Sequence, residues 1–208
     1  YYPSFGKAHD GVGFAPTMMS HNHRSTGLCG LISFCDEHWP AEFRDSFIIG
    51  NVMTSRVNRN TIVEQGSTRL AKEAPDFVVT DDPWFRPVDL TVGPDGAVYI
   101  ADFYNRIIGH YEVPLTHPGR DRERGRIWRI VYKGDAAKKV PGPMAQDLSH
   151  ANEAELIVAL AHPVLTARTL ALNELTDRIG AAALPALRDA FGKSTQALPS
   201  EESAYEDA

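Results

Sequence analysis

Residues 88–102 read VDLTVGPDGAVYIAD, and this stretch decides the fold class. Apolar and polar side chains alternate on both sides of a Gly-Pro-Asp-Gly turn, as they do in two half-buried strands joined by a hairpin. Pro94 presets one turn dihedral and Gly96 permits a positive φ, so the turn chemistry agrees with the strand pattern. The stretch therefore predicts an antiparallel sheet, in which we take residues 88–92 as the innermost strand.

The same plan extends along the chain in both directions. Residues 47–51 (FIIGN) align with residues 98–102 (VYIAD) about fifty positions later, and Arg56 and Arg106 follow them at nearly equal offsets. Each unit is predicted to hold four strands; the eight segments are GLCGLISF, SFIIGNV, RVNRNTIV and the run ending PDFVV, then VDLTV, AVYIAD, RIIGHYEV and RIWRIVYK. Four-stranded units repeating at this period predict two consecutive blades of a β-propeller, and a ring needs at least about four blades.

The composition changes after residue 133, where Lys, Gly and Pro indicate a linker. Beyond it an Ala- and Leu-rich stretch has apolar residues near helical spacing. We divide the chain into a partial propeller (1–133), a linker (134–150), a helical segment (151–193) and a disordered acidic tail (194–208).

Three helices are expected in the helical segment. Asn152 or Ser149 caps the first, and the His162-Pro163 pair breaks it because proline cannot continue a helix interior. Gly180 is predicted to end the second helix, and the third is predicted to run to Phe191.

The overall composition narrows the class of partner. The net charge is −6, which argues against general nucleic-acid binding, since phosphate contacts need an excess of Lys and Arg. No apolar stretch approaches the roughly 20 residues that cross a bilayer. Cys29 and Cys35 would lie about 20 Å apart along one strand, so they are expected to be unpaired core thiols.

The quoted strands, the connection WPAEFRD and the segment ALAHPVLTAR resemble a known family. These are the large exported proteins of planctomycetes and verrucomicrobia described as membrane-bound dehydrogenase-domain or haem-binding proteins. The resemblance covers most of the chain up to about Phe191 and is most specific from Trp84 to Tyr132.

The resemblance implies a six-bladed propeller of the NHL and glucose/sorbosone dehydrogenase type, followed by HEAT-type repeats and often a cytochrome c domain. This chain would hold the last two blades and the first helical repeats. The haem motif C-x-x-C-H would lie outside it, and the location would be periplasmic or exported. The implied partners are the remaining blades and the cytochrome c domain, with no transmembrane segment in this chain.

Ligands of propellers sit above the central channel, where loops enter the innermost strands. Trp84 and Arg86 precede residues 88–92, and HNHRSTG places His21, His23 and Arg24 at the equivalent position of the other unit. Arginine can pair with a carboxylate-bearing cofactor or an anionic sugar, and histidine can accept a hydroxyl proton. The alternatives are structural: Arg86 pairs with Asp81 or Asp82, Trp84 packs in the blade, and the histidines pin loops.

In similar quinone-dependent sugar dehydrogenases, an arginine at the position of Arg86 contacts pyrroloquinoline quinone. A second arginine of those enzymes is replaced here by Val88, and their lysine has no counterpart in NVMTSR.

Asp95 is expected to stabilise its own turn, and Asp102 resembles a calcium ligand only superficially. The charged loop GRDRERGR is expected to be solvated, or else to pin the helical segment by ion pairs, and Arg168 is expected to brace helices.

Two functions follow from these observations. The first is the C-terminal propeller part of an exported sugar or polyol dehydrogenase that passes electrons to a c-type haem outside this chain. The second is a non-catalytic scaffold that binds a polysaccharide or a protein. The isolated chain is expected to be inactive and to self-associate through open strand edges.

Overall fold

The computed structural model describes residues 23–25, 27–34, 39–109, 113–134 and 147–196. The chain is mainly β, with two antiparallel sheets followed by a helical segment. The first sheet has the order β1-β2-β3-β4, and all four predicted strands are confirmed. Their bounds are Leu28–Phe34 for β1, Ser46–Asn51 for β2, Arg56–Gln65 for β3 and Thr68–Val79 for β4.

Among the described residues, the second sheet has three strands where four were predicted. They are β5 (Pro87–Val92), β6 (Val98–Asp102) and β7 (Arg126–Ile130), in that order. β6 pairs directly with β7, so the strand predicted at residues 106–113 does not lie between them. Side-chain anchors replace the strand ladder in this loop: Arg120 Nη2 donates to the carbonyls of Gly109 and Val113 at 3.0 and 3.1 Å.

The register of the two sheets shows which residues are equivalent. Asn51 at the end of β2 faces Arg56 at the start of β3, and Asp102 at the end of β6 faces Arg126 at the start of β7. The predicted match of Arg56 with Arg106 is therefore wrong. The physical reason is the long loop between β6 and β7, which moves the arginine that starts the next strand twenty positions along the chain.

A shared apolar core joins the two sheets. Its buried members come from both sheets: Phe34, Trp39, Ile48, Val57, Phe85, Leu90, Val98 and Ile100. β5 runs so close to β1 that a Cβ on Gly30 (φ +59°) would lie 2.5 Å from the Asp89 Cα. Only glycine fits this close backbone approach and this left-handed conformation. Trp39 Nε1 also donates to the Gly96 carbonyl at 2.9 Å, which ties the first sheet to the β5–β6 turn.

The helical segment contains α1 (Glu153–Ala159), α2 (Leu165–Glu174) and α3 (Leu184–Gln196). Asn152 is the cap of α1 in a capping box, and the break at His162-Pro163 is confirmed because α2 starts at Leu165. α2 continues as a π-turn to Ile179 and ends at Gly180, which has a φ of +63°.

The third helix ends at Gln196 rather than at Phe191, so residues 194–196 of the predicted tail are helical. The rest of that tail, 197–208, lies outside the described residues.

Two arginines organise the helical segment. Arg168 Nη1 donates to the His162 carbonyl at 2.7 Å, so its structural role is to hold the α1–α2 connection. Arg178 Nη2 donates to the carbonyls of Leu148 and Ala151 at 3.2 and 2.7 Å. Thr166 Oγ1 donates to the Val92 carbonyl at 2.6 Å, which fastens α2 to β5.

Two other sequence expectations concern the thiols and the membrane. Cys29 is a free, partly buried thiol, and Cys35 lies outside the described residues. Among the helices that the structure describes, none combines the length and apolar character that a membrane span requires.

Candidate functional site

The predicted site residues that the structure describes come from two segments, which meet at the end of the two sheets where β2 and β6 finish. We call this end the rim. It comprises the segment before β1 (23–25), the β2–β3 turn (52–55), the segment before β5 (80–86), the end of β6 with the loop after it (102–109) and the start of β7 (126–128). Asn51 Nδ2 donates to the His23 carbonyl at 3.0 Å, and the next residue, Val52, accepts from Arg86 Nη1 at 2.8 Å. The structure therefore brings the segment before β1 and the segment before β5 to the same turn.

Arg86 is a brace between the two sheets. Besides the Val52 carbonyl, Nη1 donates to Ser55 Oγ at 2.7 Å, so this nitrogen holds the β2–β3 turn. Nε donates to the Asn105 carbonyl and Nη2 to the Arg106 carbonyl, both at 2.8 Å. Four of the five N–H groups that a guanidinium offers are thus used within the protein.

The pairing of Arg86 with Asp81 or Asp82, which was the structural alternative to a ligand contact, is not formed. Asp82 instead contacts Arg126 at 2.8 Å, because Arg86 reaches past it to the β2–β3 turn. Burial lowers the pKa of Arg86 below its ordinary value, although the carboxylates of Asp102 and Asp82 act in the opposite direction. The guanidinium stays charged at neutral pH, since its ordinary value lies far above 7.

Asp102 is the buried acceptor at the centre of the rim. Oδ1 accepts from the backbone N–H groups of Arg86 and Tyr104, both at 2.9 Å. Oδ2 accepts from Arg126 Nε at 2.7 Å and from Trp128 Nε1 at 2.8 Å. With four donors in place, this carboxylate is occupied, as expected for a buried charge in a folded protein.

Arg126 links Asp102 to Asp82 on the protein surface. Its Nη1 contacts Asp82 Oδ2 at 2.8 Å while its Nε contacts Asp102. The N–H of Trp84, and then Arg126, hold the pKa of Asp82 below its ordinary value. Burial alone would lower the pKa of Arg126, but its two carboxylate partners outweigh burial and raise it.

Aromatic rings are stacked on this ionic network. Trp84 lies against Tyr104 with ring centres 5.1 Å apart and an interplanar angle of 25°. The guanidinium carbons of Arg126 and Arg124 lie 4.3 and 5.4 Å from the centre of the Tyr104 ring. Tyr104 has a φ of +52°, a conformation that costs energy in a non-glycine residue. The Asp102 bond to its N–H holds it there, so Trp84 stacks on a ring whose backbone is fixed.

The histidine and arginine before β1 have structural or peripheral positions. His23 is buried: its Nε2 lies within 3.1 Å of the side-chain amide of Asn60, and its Nδ1 lies 3.4 Å from Glu73 Oε1. This is the loop-pinning alternative. Arg24 is exposed at the rim with a φ of +57°, and His21 lies outside the described residues.

The acidic candidates are engaged by arginines. Asp95 Oδ1 accepts from the Ala97 N–H at 3.1 Å, which confirms its turn-stabilising role, and Oδ2 accepts from Arg129 Nη2 at 2.6 Å. In the described part of the chain, no three His, Cys, Asp or Glu residues are grouped so that they could hold a metal ion.

The charged loop GRDRERGR makes contacts within the β part. Asp121 pairs with Arg124 at 2.6 Å, and Arg122 donates to the Leu115 carbonyl. These local contacts agree with a solvated loop that supports itself.

Sequence reasoning missed three contributors to the rim. Tyr104 follows β6 inside a predicted turn, and nothing in its neighbourhood marks it as a stacking partner. Arg126 and Trp128 were visible as alternating residues of the last predicted strand. Their register opposite Asp102 and Ile100 was the missing information, because the strand predicted at residues 106–113 separated them from β6.

A protein-family model matches residues 6–134 of the chain, and the family is described as a domain of unknown function, DUF7133. No curated protein and no solved structure matches the chain. The matched residues contain both sheets and the complete rim as described above. Because the match spans well over half of its 208 residues, the chain belongs to the DUF7133 family.

Proposed function

We propose that the two sheets are the last two blades of a propeller in a longer exported protein, and that the rim binds carbohydrate without catalysing a reaction. The helical segment would be the start of a HEAT-type array. The observation that carries the proposal is the partly buried ring of Trp84, stacked on Tyr104 beside charged groups that are already held in place.

A fixed aromatic ring suits a sugar for two reasons. The C–H face of a pyranose is apolar and packs on the face of an indole, while its hydroxyl groups need polar partners at the ring edge. One face of Trp84 stacks on Tyr104, and the residue as a whole is only partly buried, which leaves part of the indole for a ligand. Asp82 and Arg126 lie beside the stack and can accept from or donate to hydroxyls. A platform held in this way loses little entropy when a ligand binds.

The quinone contact implied by the family resemblance does not fit Arg86. Its donors are directed at the carbonyls of Val52, Asn105 and Arg106 and at Ser55, so a quinone carboxylate would have to displace contacts that join the two sheets. The presence of Val88 where similar quinone-dependent enzymes have a second arginine also argues against quinone binding. These features support binding over oxidation.

The test uses the 208-residue chain and isothermal titration with soluble polysaccharides, neutral and uronic-acid-containing. We expect saturable binding to at least one of them and an at least ~10-fold weaker affinity for Trp84→Ala, which corresponds to ~1.4 kcal/mol. Trp84→Phe keeps a ring and should retain part of the affinity. Phe191→Ala, which removes an exposed ring from α3, is the matched control and should bind like the wild type.

The dehydrogenase function is tested with the longer parent protein, because the isolated chain is expected to be inactive under either hypothesis. Reduction of an electron-accepting dye with sugars or polyols, with and without added quinone, should not exceed the background rate. Dye reduction that depends on the protein would refute the non-catalytic proposal. Unchanged binding by Trp84→Ala would refute the placement of the ligand on Trp84.

A further inference from the structure

The outer edge of β7 is open in the part of the chain that the structure describes. The second sheet ends with this strand, whereas the first sheet has a fourth. Ile127 in the middle of β7 is 70% exposed and Trp128 is 41% exposed. An open edge with large apolar side chains is a template for pairing with another strand.

The outer edge of the first sheet is protected in ways that β7 is not. β4 carries Pro75, and the ladder between β3 and β4 shifts register opposite it. β4 also has Arg69, Lys72 and Glu73 near its exposed part. Proline, irregular pairing and charge are the usual means of preventing edge-to-edge association. The contrast identifies β7 as the edge that is suited to pairing.

The hydrogen-bond pattern fixes which backbone groups of β7 face outward. Gly93 N donates to the Ala97 carbonyl and Phe103 N donates to the Arg86 carbonyl, so odd-numbered residues of β6 face β5. Even-numbered residues of β6 therefore face β7, where Ile100 is opposite Trp128. It follows that Trp128 bonds inward, while Ile127 and Arg129 direct their N–H and C=O groups to the open edge.

The sequence of β7, RIWRI, is complementary to itself in the antiparallel direction. With Trp128 opposite its own copy, Ile127 faces Arg129 of the second copy and Arg126 faces Ile130 of the second copy. No arginine then faces an arginine. The outward groups of Ile127 and Arg129 form hydrogen-bonded pairs in this register, and the two Trp128 residues form the close non-hydrogen-bonded pair on the two-fold axis.

The charges of β7 do not oppose this pairing. Arg126 is neutralised by Asp102 and Asp82, and Arg129 Nη2 contacts Asp95 Oδ2 at 2.6 Å. Charged residues protect an edge only while their charge is uncompensated, because the protection comes from like-charge repulsion. Here each arginine has a carboxylate partner in its own sheet.

The geometry points to a symmetric dimer in which β7 pairs antiparallel with β7 of a second copy about an axis through Trp128. This joins the two three-stranded sheets into one continuous sheet. The interface is isologous, as closed two-fold dimers require, so association stops at two copies.

Sedimentation velocity of the full chain over a range of concentrations tests the dimer. The mass should rise from 22.9 kDa towards twice that value. Ile127→Pro removes an outward N–H without removing a bond to β6, and it should keep the far-UV spectrum and stay monomeric. Ile127→Ala is the matched control that keeps the N–H, and it should still dimerise.

A cross-linking pair decides the register even if Ile127→Pro fails to fold. With Cys29 and Cys35 changed to serine, Trp128→Cys should form an intermolecular disulfide under mild oxidation, since opposed Cα atoms of a non-hydrogen-bonded pair are ~4.5 Å apart. Ile127→Cys should not, because it faces position 129. A wild type that stays at 22.9 kDa would overturn the dimer. Equal dimerisation of Ile127→Pro, or equal cross-linking of both cysteine variants, would overturn the β7 geometry.

Discussion

Replacing Arg86 with alanine tests whether this residue stabilises the fold or binds a ligand. The substitution removes four hydrogen bonds, three of them to acceptors in partly buried positions at Val52, Ser55 and Asn105. At about 1 kcal/mol net for each of these three, the free energy of unfolding should fall by ~3 kcal/mol. For a chain of this size that corresponds to a fall of about 6–12 °C in Tm.

Urea unfolding followed by tryptophan fluorescence measures this loss in the right part of the molecule. All three tryptophans, Trp39, Trp84 and Trp128, lie in the β part, so the signal reports on the two sheets and not on the helices. Arg106→Ala is the matched control: it removes an exposed rim arginine but keeps the carbonyl that Arg86 uses, and it should change stability by less than ~0.5 kcal/mol. If Arg86→Ala is as stable as this control but no longer binds sugar, Arg86 serves the ligand and our reasoning is refuted.

Two further predictions concern a turn and a helix cap. Burial raises the pKa of Asp95, but hydrogen bonds from Arg129, Ala97 and Tyr99 outweigh it and hold that pKa below its ordinary value. The stabilising contribution of the Asp95 carboxylate is therefore complete at neutral pH and is lost as the pH falls below about 4. In urea unfolding, the difference in free energy of unfolding between the wild type and Asp95→Asn should narrow between pH 7 and pH 3. A difference that stays constant over this range would contradict the prediction. Asn152→Ala removes the capping box of α1 and should lower the free energy of unfolding by ~1 kcal/mol. In a far-UV thermal melt, the helical signal should then be lost at a lower temperature than in the wild type. An unchanged melt would show that the cap does not stabilise the helix.

Local sequence patterns were enough for most of the secondary structure. The first sheet was predictable because strands that are neighbours in the chain are also neighbours in the sheet. The strand predicted at residues 106–113 was wrong for a reason that no local pattern contains. Gly109 interrupts its apolar run, and Arg120 binds two carbonyls of that segment, those of Gly109 and Val113, from eleven and seven positions away.

The location of the rim was predictable, but the role of its residues was not. The segments that precede β1 and β5 do converge, because both His23 and Arg86 bond to the end of β2 and the turn that follows it. The role of Arg86 depends on the carbonyls of Val52, Asn105 and Arg106, and a backbone carbonyl leaves no trace in a sequence. Reasoning from side-chain types alone therefore favoured a carboxylate partner such as Asp82.

At one equivalent position the two units differ in charge, since Asn51 of the first unit corresponds to Asp102 of the second. This difference helps to explain why the stacked rings are found on the second unit. Asn51 and Asp102 each end the second strand of their sheet. Both side chains are buried, and each bonds to the backbone of the segment that precedes the first strand of the same sheet. Asn51 is neutral and bonds to the His23 carbonyl, to Asn58 and to the Thr54 N–H, so it needs no cation as a partner. Asp102 is charged and needs a cation, which Arg126 supplies. That arginine is then placed over Tyr104, and the ring stack that ends in Trp84 is built on it. In the first unit the equivalent Arg56 pairs with Asp76 instead. A carboxylate in place of an amide at the strand end thus gives Arg126 a different partner, and the aromatic rings stack beside it on the unit that we propose binds the ligand.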